Sequence, residues 1–180
     1  NFVRKFTQDN EYTYWDAKTH TGLMRNMVVR TATTGETMVV IVFSQNNTEK
    51  IHSLLNSVKL SFPEITSLFY VVNSKFNDSL NDQEFILFDG KPEIAEKLGS
   101  LNFLISPKSF FQTNTLQTKV LYDIALDFAG LEGHESVFDL YTGLGSIALY
   151  ISARAKHVTG IELIEEAIED ARKNALNNHI

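Results

Sequence analysis

Apolar residues fall in short runs whose spacing changes along the chain. Residues 27–43 are rich in strand formers on both sides of Thr33-Thr34-Gly35-Glu36. That pattern predicts a strand over Met27–Thr31, a tight turn, and a second strand over Thr37–Phe43, paired as a hairpin. Asn46-Asn47-Thr48-Glu49 offers helix caps ahead of Ile51, Leu54, Leu55 and Val58, which recur at helical spacing, and Pro63 closes the helix. Strands are expected over Ser67–Val72 and Glu84–Phe88, separated by the polar stretch Asn73–Asp82. Residues 1–106 therefore read as a small α+β unit with antiparallel pairing.

The texture changes after Pro107. Leu116, Val120, Leu121, Ile124, Ala125 and Phe128 recur at helical spacing over Thr115–Phe128, and Gly130 ends that helix. A strand (Ser136–Leu140), a glycine-rich turn, a helix (Ser146–Arg154), a strand (His157–Ile161) and a helix (Leu163–Asn177) follow. This β-α-β-α order implies parallel strands. In the last helix Ile164, Ala167, Ile168, Ala171 and Ala175 make an apolar stripe, while Glu165, Glu166, Glu169 and Asp170 read as a solvated face. The expected organisation is an α+β domain over 1–106, then over 107–180 the first β-α-β-α units of an incomplete Rossmann-like α/β fold.

Composition narrows the class. With 180 residues and 43% of them hydrophobic, the chain can bury a core, which excludes global disorder. Its longest wholly apolar runs are short, as at Met38–Phe43, against the ~18 residues a membrane helix needs. The start, Asn-Phe-Val-Arg-Lys-Phe-Thr, lacks an apolar signal region, so a soluble, cytoplasmic protein is expected. The absence of cysteine excludes disulfides, thiolate zinc sites and cysteine nucleophiles within these residues. The formal net charge is −6, and the acidity is concentrated late: residues 1–107 carry ten basic and twelve acidic side chains, residues 108–180 six and ten. That balance speaks against a dedicated basic nucleic-acid surface. The chain begins at Asn1 and stops inside a helical pattern at Asn178-His179-Ile180, which reads as a fragment.

Candidate chemistry sits in Val137-Phe138-Asp139-Leu140-Tyr141-Thr142-Gly143-Leu144-Gly145-Ser146. A strand ends beside an acid, two glycines follow, and a helix begins. Gly143 and Gly145 let backbone approach a ligand closely. Asp139 stands at the carboxyl end of its strand, where open α/β sheets bind ligands, and Glu162 ends the next strand. A carboxylate there can accept hydrogen bonds from both hydroxyls of a ribose. A dinucleotide fingerprint would want a third glycine where Ala148 stands, a substitution it sometimes accepts; a P-loop would need Gly-Lys-Ser or Gly-Lys-Thr, which is absent. An acid four residues before the first glycine best suits a ligand without phosphate and with a cationic end, such as S-adenosylmethionine.

Asp-Leu-Tyr-Thr-Gly-Leu-Gly (139–145), with Ile-Ser-Pro-Lys-Ser-Phe-Phe-Gln-Thr-Asn (105–114) upstream, resembles the S-adenosylmethionine-dependent RNA uracil-5 methyltransferases, which modify ribosomal or transfer RNA. The likeness continues through Gly160-Ile161-Glu162 and Ala167–Ala175, and Gly22–Arg30 resembles a stretch of that family's central domain. The resemblance implies a Rossmann-like methyltransferase fold, S-adenosylmethionine as cofactor, and RNA as partner, ribosomal ahead of transfer RNA. It implies that Gln112 contacts the cofactor, Tyr141 packs beside it, and Glu162 holds the ribose. Ser146 is a further contact, and Asp139, with Gly143 and Gly145, organises the loop. The family usually has cysteine where Thr142 stands. Its nucleophilic cysteine adds to uracil C6, methyl goes to C5, and a base then removes the C5 proton as the thiolate leaves. Both groups are expected outside this chain, so no catalytic residue is assigned within it and the isolated chain is expected to be inactive. The other readings are a methyltransferase acting on an exocyclic amine and a non-catalytic RNA-binding module.

Other conspicuous residues have plainer readings. His20, His52, His134, His157 and His179 show no metal-ligand spacing and read as structural or surface groups. Phe110 and Phe111 are core aromatics or pocket walls. Arg25 and Arg30 flank Met27-Val28-Val29 and are candidates for RNA phosphate contact. Trp15 is expected to anchor the first domain, with base stacking as the alternative.

Overall fold

A computed structural model describes residues 1–180. The elements in order are α1 (Phe2–Asp9), β1 (Met24–Thr31), β2 (Thr37–Phe43), α2 (Thr48–Ser61), β3 (Ser67–Val72), β4 (Ile86–Gly90), β5 (Ile94–Leu98), β6 (Leu101–Ile105), α3 (Thr115–Ala129), β7 (Ser136–Leu140), α4 (Ser146–Ile151) with a 3-10 turn (Ser152–Arg154), β8 (His157–Ile161) and α5 (Glu165–Asn177). They form two compact units: Asn1–Thr31 with Glu36–Ile94, and Ala32–Gly35 with Ala95–Ile180. Packing thus divides the chain ahead of the division expected after residue 106, and β6 goes with the second unit. No helix is long and apolar enough to cross a membrane.

The first unit is built on a four-stranded sheet in the order β1-β2-β3-β4. β2 reads Thr-Met-Val-Val-Ile-Val-Phe and is buried from Met38 to Phe43, the continuous apolar run of a strand covered on both faces. The β1–β2 hairpin forms as expected, with β1 beginning earlier, at Met24. The expectation of purely antiparallel pairing is corrected. β2 and β3 run parallel, because α2 carries the chain back across the sheet between them, while β3–β4 is antiparallel. α2 starts where the caps predict, with Asn47 accepting from the Lys50 amide, and buries Ile51, Leu54, Leu55 and Val58. α1, which the apolar pattern does not announce, packs Phe2 and Phe6 against this core, with Phe2 edge-on to Phe62 and Phe6 edge-on to Tyr12.

Arg25 is a tie rather than a phosphate contact. Its side chain is 2% exposed. The guanidinium donates to the carbonyls of Asn73, Lys75 and Asn77 and to the Asp78 carboxylate, at 2.5–2.9 Å. It also lies 4.3 Å over the Trp15 ring, which places Trp15 in the anchoring role. The loop after β3 has no strand partner for these carbonyls, and one planar fork supplies their donors. Arg25→Lys should therefore lower stability by about 1–3 kcal/mol, since lysine cannot reach all four acceptors. A urea midpoint unchanged from the parent protein would refute this role.

Candidate functional site

β7 and β8 form a parallel two-stranded sheet in the register Asp139↔Gly160 and Leu140↔Ile161, so the expected β-α-β order is present at the expected residues. The α4 stretch ends sooner than read, at Ile151, and finishes as the 3-10 turn. Asp139 is buried, and its Oδ2 accepts from the Thr142 hydroxyl at 2.7 Å and from the Ala148 amide at 3.1 Å. Ala148 is the third residue of α4, so the carboxylate does the work of a cap for a helix that starts on glycine.

The turn that follows is held from the neighbouring strand. Thr142 N–H donates to the Ile161 carbonyl at 3.1 Å, and Gly143 N–H donates to Glu162 Oε2 at 3.0 Å. Glu162 Oε1 accepts from the amides of Leu163 and Ile164 at 2.8 and 3.0 Å. The amides of Ile164, Gly143 and Leu163 together hold this carboxyl below its ordinary value. Sequence spacing alone pairs Asp139 with Glu162; the structure puts both at the carboxyl end of the same parallel pair.

The two glycines do different jobs. At Gly143 (φ +55) a Cβ would meet no atom within 4 Å, so the backbone is open to a ligand there. At Gly145 (φ +87) a Cβ would lie 3.3 Å from the Ala171 Cβ, so this glycine serves close packing against α5. Gly160 is a third requirement, since its Cβ would come within 2.9 Å of the Thr142 methyl. The sequence carried that signal only as part of Gly160-Ile161-Glu162.

Of the remaining candidates, Tyr141 is 88% exposed at φ +62, a left-handed conformation that is costly for a residue with a Cβ. Ser146 shares a hydrogen bond with the Tyr122 hydroxyl at 3.0 Å, and burial raises the Tyr122 pKa. Gln112 is exposed on the segment between β6 and α3. Phe111 is half-buried, 5.6 Å from Phe103 between ring centres, and Phe110 is exposed. Asp170, read as solvent-facing, instead accepts from the hydroxyls of Ser106 and Ser109. His134 lies on an exposed turn beside Glu132 and Glu135, where the Glu135 carboxylate is occupied by the turn's own amides. A separate cleft of about 620 Å³ lies within the first unit, lined by Phe2, Arg4, Tyr14, Met27, Val29 and Phe62 among others, and shares no residue with the glycine turn.

The Gly143–Glu162 bond has a titration signature. A carboxyl whose folded pKa is depressed contributes stability that is present above its unfolded value of about 4.5 and is lost as pH falls through the folded pKa. The Gly143 amide proton shift should therefore titrate with a midpoint below 4.5, and should not titrate in Glu162→Gln. A midpoint at or above 4.5 by NMR would remove the bond.

No family model matches the chain. It is 49% identical over 181 residues to an uncharacterized RNA methyltransferase of Porphyromonas gingivalis, covering 99% of this chain and 39% of that protein. It is 45% identical over 183 residues to an uncharacterized RNA methyltransferase of Bacteroides thetaiotaomicron, covering 100% and 40%. The chain thus spans about two fifths of the length of the curated relatives it matches. Among solved structures, the Pyrococcus abyssi tRNA (uracil-54, C5)-methyltransferase in complex with S-adenosyl-L-homocysteine superposes with a TM-score of 0.76 at 29% identity, covering 99% of this chain and 42% of that one. The Methanocaldococcus jannaschii tRNA m1G37 methyltransferase, at TM-score 0.56 and 15% identity over 99% of this chain and 49% of that one, shares the fold. The chain is thus similar along nearly its whole length to RNA methyltransferases by sequence, and by fold to a tRNA methyltransferase in complex with S-adenosyl-L-homocysteine.

Proposed function

We propose that this chain binds S-adenosylmethionine at the glycine turn and forms part of a cytoplasmic enzyme that methylates C5 of a uridine in RNA. The observation that carries the cofactor reading is the open backbone at Gly143 set beside the Glu162 carboxylate. Two carboxylates at the strand ends disfavour a phosphate and suit a ligand with a cationic end. The uridine reading is supported by the motif Ser-Pro-Lys-Ser-Phe-Phe-Gln-Thr-Asn (106–114) and by the 29% identity to a uracil-54 C5 enzyme.

When bound, S-adenosylmethionine supplies an electrophilic methyl group on a sulfonium. This chain's residues bind and orient. Glu162 accepts a ribose hydroxyl, Tyr141 lays its ring over apolar surface, and Gln112 offers both a donor and an acceptor to the amino acid end. Gly143 and Gly145 shape the turn and Ser146 opens α4 beside it. Asp139 acts through the turn, by holding Thr142 and the start of α4. With no cysteine among these 180 residues, the thiolate that adds to C6 comes from elsewhere in the enzyme.

The test uses the full-length protein, methyl-labelled S-adenosylmethionine, and ribosomal and transfer RNA from cells lacking the enzyme. Labelled 5-methyluridine in nucleoside mass spectra is expected, with ribosomal RNA the first substrate to try. Label on an exocyclic amine or a ring nitrogen would overturn the C5 reading, and no transfer to either RNA would overturn RNA methylation. In the same protein, Gln112→Ala should weaken cofactor binding by about 1–3 kcal/mol, the cost of leaving a polar group of the bound ligand without its partner. Unchanged affinity by calorimetry would take Gln112 out of the site.

A further inference from the structure

We infer that Asn174 is a positioning residue for the cofactor site, clamping the glycine turn and the strand that leads to Gln112 into one frame. This rests on the cofactor reading above and deepens it.

Strand β6 pairs with β5, and its other polar groups meet a helix. The Leu104 amide donates to Asn174 Oδ1 at 2.7 Å, and Asn174 Nδ2 donates back to the Leu104 carbonyl at 3.2 Å. The Asn102 amide donates to Asn178 Oδ1 at 2.8 Å, and Asn178 Nδ2 returns a bond to the Asn102 carbonyl at 2.8 Å. Asp170 continues the series by accepting from the Ser106 hydroxyl at 2.7 Å. A carboxamide presents the same donor and acceptor as a peptide group, so each asparagine stands in for one residue of a neighbouring strand. The spacing permits it. Four helix residues rise about 6.0 Å and two strand residues about 6.6–6.8 Å, so Asp170, Asn174 and Asn178 keep step with residues 106, 104 and 102.

Asn178 spends its second Nδ2 hydrogen within α5, on the Asn174 carbonyl at 2.8 Å, whereas Asn174 reaches out of the helix. Its second Nδ2 hydrogen reaches the carbonyl of Leu144 at 3.3 Å. Leu144 is the buried residue between Gly143 and Gly145, and Asn174 itself is 0% exposed with its donors and acceptor engaged. One turn earlier on α5, Ala171 packs against Gly145 closely enough to hold the helix at the turn. A single buried amide thus links β6, which leads through residues 106–109 toward Gln112, to the backbone that faces the ligand. Asn178 provides the internal control, because it makes the same strand-edge bonds without reaching the turn.

The experiment measures S-adenosylmethionine affinity by calorimetry, with melting temperature and RNA affinity, in the full-length protein. Asn174→Ala is expected to raise the cofactor Kd at least tenfold while changing RNA Kd less than twofold. Asn178→Ala is expected to lower the melting temperature while leaving the cofactor Kd within twofold. Asn174→Asp keeps the acceptor for the Leu104 amide but, ionised, offers no donor to the Leu144 carbonyl, so its cofactor Kd is also expected to rise at least tenfold. That variant also decides the matter if Asn174→Ala does not fold. Equal losses of cofactor affinity at Asn174 and Asn178, no loss at Asn174, or a wild-type cofactor Kd in Asn174→Asp would overturn the inference while leaving the cofactor reading in place. Wild-type protein that binds no S-adenosylmethionine would overturn both.

Discussion

Backbone amides that neither a ladder nor a helix can satisfy are the constraint around which the second unit is arranged. A strand that turns sharply into a helix leaves several such groups in a few residues. Here the Ala148 amide goes to Asp139, the Gly143 amide to Glu162 and the Thr142 amide to the Ile161 carbonyl. The last two of those partners exist only if β8 lies beside β7, parallel, in this register. The register in turn brings Thr142 over residue 160, where anything larger than glycine would collide with its side chain. The crevice at the strand ends is therefore a by-product of satisfying the turn. The same carboxylates that make the fold possible give the site its charge.

The first unit solves the corresponding problem with the opposite charge. The loop from Asn73 to Asp78 presents carbonyls without strand partners, and a buried guanidinium gathers them. The solution uses up the cation. Arg25 has both terminal nitrogens engaged, and its Nε is buried without a partner, so no donor faces solvent for a phosphate. A sequence shows that a residue is basic; it does not show whether its donors have already been spent inside.

What was legible in the sequence follows the strength of the local signal. β2 and β3 are apolar runs bounded by turn residues, β7 and β8 are short mixed stretches rich in strand formers, and all four lie where the pattern puts them. The candidate turn was legible too, since strand ends are where a carboxylate and glycines stand out. α1 was not, because its helix holds through Phe2 and Phe6 packing on residues far along the chain. β5 was hidden by Glu96, a buried carboxylate in mid-strand that accepts from the Thr33 amide and the Thr115 hydroxyl. The direction of β2–β3 pairing depends on where α2 crosses, which periodicity does not encode. Asp170 reads as part of a wet face because polar residues on a helix ordinarily are, and nothing in the pattern singles out Asn174. Only the strand edge opposite reveals them as its partners.

Counting acceptor sites sharpens what Glu162 can offer a ligand. A carboxylate has about four lone-pair positions. Three are taken here, by Gly143 on Oε2 and by Leu163 and Ile164 on Oε1. One remains, on the oxygen shared with the turn, so Glu162 as it stands has room for one further donor rather than two. A second donor from the proposed ligand would have to find another acceptor or displace a backbone amide at the start of α5. The first course preserves the turn; the second couples ligand binding to movement of Leu163 and Ile164, both exposed and free of core packing. Since the three amide bonds favour the ionised carboxyl, the lone pair left for the ligand belongs to a charged acceptor. A charged acceptor bonds a hydroxyl more strongly than a neutral one does. A single bond of that kind, held in direction by three backbone amides, would orient the sugar of the proposed ligand by its position in the fold, without a second contact from the same side chain.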